Sequence, residues 1–163
     1  ERGVEPLKAV VLTVSDRVSA GIGVDTSGPA AAAILEQHGF AASVELVPDG
    51  IESVEGFLRS AVNGDVALVV TTGGTGFAPR DLTPEATRRV IERPAPGLVE
   101  AMRSATFDVN PHGMLSRAEA GIAGRTLIIN LPGSVRGVEE SLAVVAPALA
   151  HGVKLLRSED TDH

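Results

Sequence analysis

The runs Ala9–Val14, Ala67–Thr72 and Thr126–Leu131 are almost continuously apolar and rich in β-branched residues. A strand with one face in water alternates apolar and polar side chains. These runs do not, so both of their faces must be covered. Helical segments lie between them. Ser27–His38 has an alanine-rich centre with Gly39 just past its end, which predicts a helix. Ile51–Val62 places Ile51, Val54, Phe57, Leu58 and Ala61 on one face at spacings of three and four. Thr83-Pro84-Glu85 reads as an N-cap, a proline at the first helical position and an acid in the first turn, opening a helix to about Glu92. A further helix is expected from near Pro96, with Leu98, Val99, Met102 and Ala105 on one side. A last helix is expected from a Ser134 cap through Leu156, with Pro147 marking a break or kink. Ala42–Val47 reads as another strand, and 108–124 as loop with short strands. Alternating strands and helices predict an α/β fold of three layers: a mostly parallel sheet with helices on both faces.

The length of 163 residues suits one domain, taken here as 1–163 with frayed ends at about 1–7 and 158–163. There is no cysteine, which excludes disulfides, thiolate metal sites and cysteine nucleophiles. The 14 basic and 21 acidic residues leave a net charge of −7. Such a surface repels a polyphosphate backbone, so nucleic acid is not an expected partner. Apolar runs such as Val66–Val70 are far short of the roughly 20 residues that span a membrane, and Glu1–Lys8 does not look like a signal peptide. The expected setting is therefore the cytoplasm, with no membrane partner.

In such folds ligands sit outside the carboxyl ends of the strands. The segments there are Ser15-Asp16-Arg17, Pro48-Asp49-Gly50, Gly73 to Asp81, and Asn130 to Ser134. Gly73-Gly74-Thr75-Gly76 can turn successive backbone N–H groups around an anion, or can be a tight turn with no ligand. It lacks the Gly-Lys-Ser/Thr of a Walker loop and the spacing of a dinucleotide fingerprint. Arg80 could pair with a phosphate, and Asp81 could hold magnesium or merely help cap the next helix. Asp49 is a second carboxylate brought to the same edge, although Pro48-Asp49-Gly50 also reads as an ordinary turn. Pro132, Gly133 and Ser134 form another helix start suited to an anion. No nucleophile–base pair is evident.

Taken in order, these stretches resemble the Mog/MoaB family of molybdenum-cofactor biosynthesis, the molybdopterin adenylyltransferases. Thr71-Thr72-Gly73-Gly74-Thr75-Gly76 with Arg80-Asp81 and Thr83-Pro84-Glu85-Ala86-Thr87 carries most of the likeness. Thr13–Arg17, Pro96–Arg103, Leu115-Ser116-Arg117 and Asn130-Leu131-Pro132-Gly133-Ser134 support it. The resemblance implies a molybdopterin-binding-type fold and transfer of AMP from Mg-ATP to the molybdopterin phosphate, with ATP and molybdopterin as substrates and Mg2+ as cofactor. It further implies catalytic and metal roles for Asp49 and Asp81. Gly73, Gly74, Thr75, Gly76, Ser116, Asn130, Pro132 and Gly133 would bind substrate, with Ser15 and Asp16 close by. It also implies a homotrimer, or a hexamer built as a dimer of trimers, and contact with the molybdenum-insertion protein. The competing readings are a non-catalytic molybdopterin-binding or carrier protein, and an unrelated nucleotide-binding regulator that uses only the glycine loop.

Overall fold

The computed structural model describes residues 5–158. Its centre is a six-stranded sheet in the order β2-β1-β3-β6-β5-β4. Strands β1 (Leu7–Val14), β2 (Phe40–Val47), β3 (Leu68–Thr72) and β6 (Thr126–Leu131) are mutually parallel, whereas β5 (Ala120–Ala123) and β4 (Arg93–Pro94) add an antiparallel edge. Register is set by pairs such as Val11 opposite Val70 and Val70 opposite Ile129.

The double-sided burial expected from the apolar runs has a direct cause in the pleat, which sends successive side chains to opposite faces. On one face Ala9, Val11, Leu68, Val70, Leu127 and Ile129 pack in a core with residues of α2 (Ser27–Glu36), α5 (Pro96–Phe107) and α6 (Val135–Arg157). On the other, Val10, Leu12, Val69 and Ile128 meet α3 (Ile51–Asn63) and α4 (Thr83–Val90). The three-layer fold expected from the sequence is the one observed. Among the described residues no helix is long and apolar enough to cross a membrane.

Several local expectations are corrected. Leu7 pairs with Phe40 inside the sheet, so the predicted fraying does not reach it. Ser158 closes α6 by donating its N–H to Leu155 O, while residues 1–4 and 159–163 of the expected frayed ends lie outside the described residues. Leu82, not Thr83, occupies the N-cap of α4; Thr83 is already helical, and its hydroxyl is bonded elsewhere. That helix stops at Val90 rather than Glu92, because Arg93 and Pro94 are taken up by pairing with Ile122 and Gly121. Helix α6 runs unbroken through Pro147, whose side is exposed. The mixed region 108–124 contains a 3-10 turn at Pro111–Leu115 before β5, and a single helical turn, α1 (Asp16–Ser19), follows β1.

Strand order reverses between β1 and β3, since β2 lies on one side of β1 and β3 on the other. This reversal opens a crevice at the carboxyl ends of Val14 and Thr72, where doubly wound sheets bind ligands. The core below it must be rigid for the crevice to keep its shape. Leu58, fully buried in the α3–α4 layer, tests that layer. Leu58→Ala should lower unfolding free energy by about 2–5 kcal/mol in urea titration, through lost burial and the cavity left behind.

Candidate active site

The glycine loop leaves β3 at the switch point. Gly73 and Gly74 have φ of 94° and 69°, a region that side-chain-bearing residues avoid. A Cβ at Gly73 would also run into Val14 O, and one at Gly74 into the Thr83 hydroxyl. Glycine is therefore required at both positions by conformation and by space. Gly73 N–H still belongs to the sheet edge, donating to Leu131 O at 3.2 Å. Beyond it, the N–H groups of Gly74, Thr75, Gly76 and Phe77 have no acceptor among the described residues.

Asp49 and Asp81 border this loop. Asp49 Oδ1 lies 3.3 Å from where a Gly74 Cβ would stand, and Asp81 Oδ2 lies 3.0 Å from the same point at Gly76. Each carboxylate has one oxygen committed to backbone. Asp49 Oδ2 accepts from Asp16 N at 3.0 Å, and Asp81 Oδ2 accepts from Ala78 N at 3.0 Å. Their other oxygens have no hydrogen-bond partner among the described residues. The expected alternative, in which Asp81 caps α4, is not what its carboxylate does: it closes the turn 78–81 instead.

Asp16 and Asp49 cross-brace the ends of β1 and β2. Asp49 N donates to Asp16 Oδ1 at 3.1 Å, mirroring the bond from Asp16 N to Asp49. Arg80 closes the group with Nε to Asp16 Oδ2 at 2.6 Å and Nη2 to Asp49 O at 2.8 Å. The arginine expected to meet a phosphate is thus engaged by protein oxygens. Its hydrogen bonds hold the Asp16 carboxyl below the usual carboxylate range. Asp49 shifts the opposite way: burial raises its pKa, and the neighbouring charges of Asp16 and Asp81 add to the rise. Ser15 caps α1 by accepting from Val18 N.

Beside the loop lies a pocket of about 280 Å³, lined by Thr75, Gly76, Ser116, Asn130 and Pro132 among others. Val99 and Met102 supply part of its apolar wall, a surface suited to the flat face of a ring. Ser15, Gly73 and Gly133 line a smaller neighbouring recess of about 210 Å³. Asp16, Gly74, Asp49 and Asp81 line neither, so the carboxylates flank the loop rather than the main pocket. Asn130 borders the pocket, but its amide serves the scaffold. Nδ2 donates to Thr71 Oγ1 at 3.0 Å and to Thr87 Oγ1 at 2.9 Å, while Oδ1 accepts from Glu119 N at 3.0 Å.

Two arginines emerge only in three dimensions. Arg103 donates from α5 to Ser116 O and Ala118 O, fixing the segment that joins the 3-10 turn to β5. Arg117 donates Nε to Gly76 O at 2.9 Å and Nη2 to Asp81 O at 2.6 Å, and pairs with Glu85 at 2.7 Å. Ser116-Arg117 lies in a stretch without periodicity, so nothing local announced its reach to a loop 41 residues away.

Comparison with known proteins shows the chain's relatives. A family described as a probable molybdopterin binding domain matches residues 10–151. Gephyrin of Dictyostelium discoideum is 44% identical over 160 residues, covering 91% of this chain, and the chain spans 22% of that relative's length. A molybdopterin adenylyltransferase of Helicobacter pylori is 40% identical over 150 residues, covering 90% of this chain and 85% of the relative. The solved structure of the molybdopterin biosynthesis enzyme MoaB from Thermus thermophilus is 44% identical, with a TM-score of 0.86, covering 92% of this chain and 96% of that one.

The raised Asp49 carboxyl has a measurable consequence. A folded-state pKa above the unfolded value contributes stability that is complete below the unfolded value and is lost as pH rises through the folded one. At neutral pH the ionised Asp49 therefore costs stability, and Asp49→Asn removes that cost while keeping an oxygen for Asp16 N. The variant should melt above the parent at pH 7, with the difference shrinking as pH falls to about 4, the ordinary carboxylate value. A thermal-melt series across that range checks it.

Proposed function

This chain belongs to the Mog/MoaB family of molybdopterin-binding domains, and on that premise we propose that it transfers AMP from Mg-ATP to the terminal phosphate of molybdopterin, giving adenylylated molybdopterin and pyrophosphate. The observation that carries the reading is the meeting of opposite functions at one loop. Unpartnered N–H groups at Gly74 to Phe77 are flanked by the carboxylates of Asp49 and Asp81, each of which keeps one oxygen without a hydrogen-bond partner among the described residues.

The pterin would occupy the pocket between Thr75, Ser116 and Pro132, placing its phosphate toward the loop. Backbone N–H groups bind a phosphate without needing a cationic side chain. The attacking group is a phosphate oxygen that is already ionised, so no general base is required. Its bond to the α-phosphorus forms as the bond from that phosphorus to the bridging oxygen breaks, and the electron pair leaves with pyrophosphate. Rate then depends on alignment and on neutralising the leaving charge.

The donor set fits magnesium, which prefers one or two carboxylates completed by substrate phosphates. Asp49 Oδ1 and Asp81 Oδ1 are the oxygens that would hold it. Among the described residues no cluster of three or more His, Cys, Asp or Glu forms a ready-made metal cage. When bound, magnesium supplies charge neutralisation at the nucleotide phosphates. Asp16, Arg80 and Arg117 act by keeping the two aspartates and the loop in place. Ser15, Gly73 and Gly133 would serve the adjoining recess.

We further propose, from the family resemblance, a cytoplasmic homotrimer, or a hexamer of two trimers, able to meet the molybdenum-insertion protein. The exposed Ile22 and Val24, 71% and 86% accessible, offer apolar surface for such contacts.

Pyrophosphate release from ATP and magnesium, followed with and without molybdopterin, tests the activity. Release should require molybdopterin, and Asp81→Asn should lower it by at least about 100-fold while molybdopterin still binds. Full activity in that variant would remove Asp81 from the machinery. Binding of molybdopterin by the parent protein without any release would make the chain a carrier.

A further inference from the structure

The glycine loop is tied to the protein through its successive oxygens. Gly73 O accepts from Thr83 Oγ1 at 3.0 Å, and Gly74 O from Thr83 N at 3.1 Å. Thr75 O accepts from Arg117 N at 2.9 Å, and Gly76 O from Arg117 Nε at 2.9 Å. In a planar trans peptide the carbonyl and the N–H that follows it point in opposite directions, and no described peptide is cis. Anchoring these carbonyls on Thr83 and Arg117 therefore aims the N–H groups of Gly74, Thr75, Gly76 and Phe77 the other way. Those are the N–H groups left without an acceptor among the described residues.

We propose that Arg117, together with Thr83, is a positioning residue for phosphate recognition, holding the loop's carbonyls so that its N–H groups converge on the substrate anion. The inference rests on reading the loop as the phosphate site. Arg117 is not itself the phosphate ligand, because its fork is already occupied. Nη1 and Nη2 pair with the Glu85 carboxylate at 2.7 and 3.2 Å, and Nη2 also donates to Asp81 O. Pairing with Glu85 raises the guanidinium pKa and lowers that of the carboxyl, so the two partners stabilise each other's charged forms. One side chain thus braces Gly76 and Asp81 together, from a helix acid that Pro84 and the α4 backbone hold in place. A lysine keeps the charge but cannot span these divergent acceptors with a planar fork.

The test compares equilibrium binding of molybdopterin with binding of the same pterin after its phosphate has been removed. The parent protein should prefer the phosphorylated form. Arg117→Lys and Thr83→Val should each weaken binding of that form by about tenfold, leaving the dephosphorylated form within roughly twofold. Thr83→Ser, which restores the hydroxyl bond to Gly73 O, should recover the preference. A general structural role would weaken both ligands alike, and that result, or an intact preference in folded variants, overturns the inference. Should Arg117→Lys fail to fold, the Thr83→Val and Thr83→Ser pair decides it alone. If the parent shows no preference for the phosphate, the reading of the loop as an anion site falls and the positioning role falls with it.

Discussion

The amide of Asn130 lies at the last turn of the sheet before its carboxyl edge, fully buried and fully bonded. It joins β6 to β3 through Thr71, to α4 through Thr87, and to the segment before β5 through Glu119 N. Thr71 immediately precedes the loop at Thr72-Gly73, Thr87 lies one turn into the helix whose first residue anchors that loop, and Glu119 follows Arg117 closely. Movement of any one of these elements would leave buried donors or acceptors unpaired, each at about 1–3 kcal/mol. The elements that flank the loop therefore share this amide, while Thr83 and Arg117 hold the loop's own carbonyls.

For an acidic protein, the anion site proposed at the glycine loop would have to work without cationic side chains. The arginines nearest the loop, Arg80 and Arg117, are both turned onto protein carboxylates and carbonyls. On the proposed reading, attraction for phosphate would fall to oriented peptide dipoles, which are short-ranged and carry no net charge. Asp49 and Asp81 beside them would repel a bare polyphosphate and favour one accompanied by a divalent cation. Burial is the main cause of the rise in the Asp49 pKa, and the charges of Asp16 and Asp81 add to it; a cation bound beside them would offset that rise.

Much of the fold was legible because it rests on periodicity. Val10 and Val11 point to opposite faces, so a strand buried on both sides must be apolar at consecutive positions, and the runs in β1, β3 and β6 could mean little else. The helices after them followed from spacing, alanine content and the prolines at 84 and 96. Arg93-Pro94 was unreadable because a two-residue edge strand has no period, and its pairing depends on Ile122 and Gly121, remote in sequence. Thr83 was misplaced by one position because its hydroxyl, which suits an N-cap, is spent on Gly73 O across the loop.

At the site the division is similar. Position after a strand was enough to bring Asp49, Asp81 and the glycines to one edge, since in this architecture every parallel strand delivers its following residues there; their roles came from the family resemblance. Positive φ at Gly73 and Gly74 was implied by the absence of side chains. Which oxygens of the aspartates stay free, which N–H groups stay open, and that Arg80 faces Asp16 instead of outward were decided only in the folded chain. Arg117 is the clearest instance: its partners are Gly76, Asp81 and Glu85. Chemistry at the edge is a local property and can be read along the chain, whereas the direction of a hydrogen bond depends on which distant acceptor the packing brings within about 3 Å.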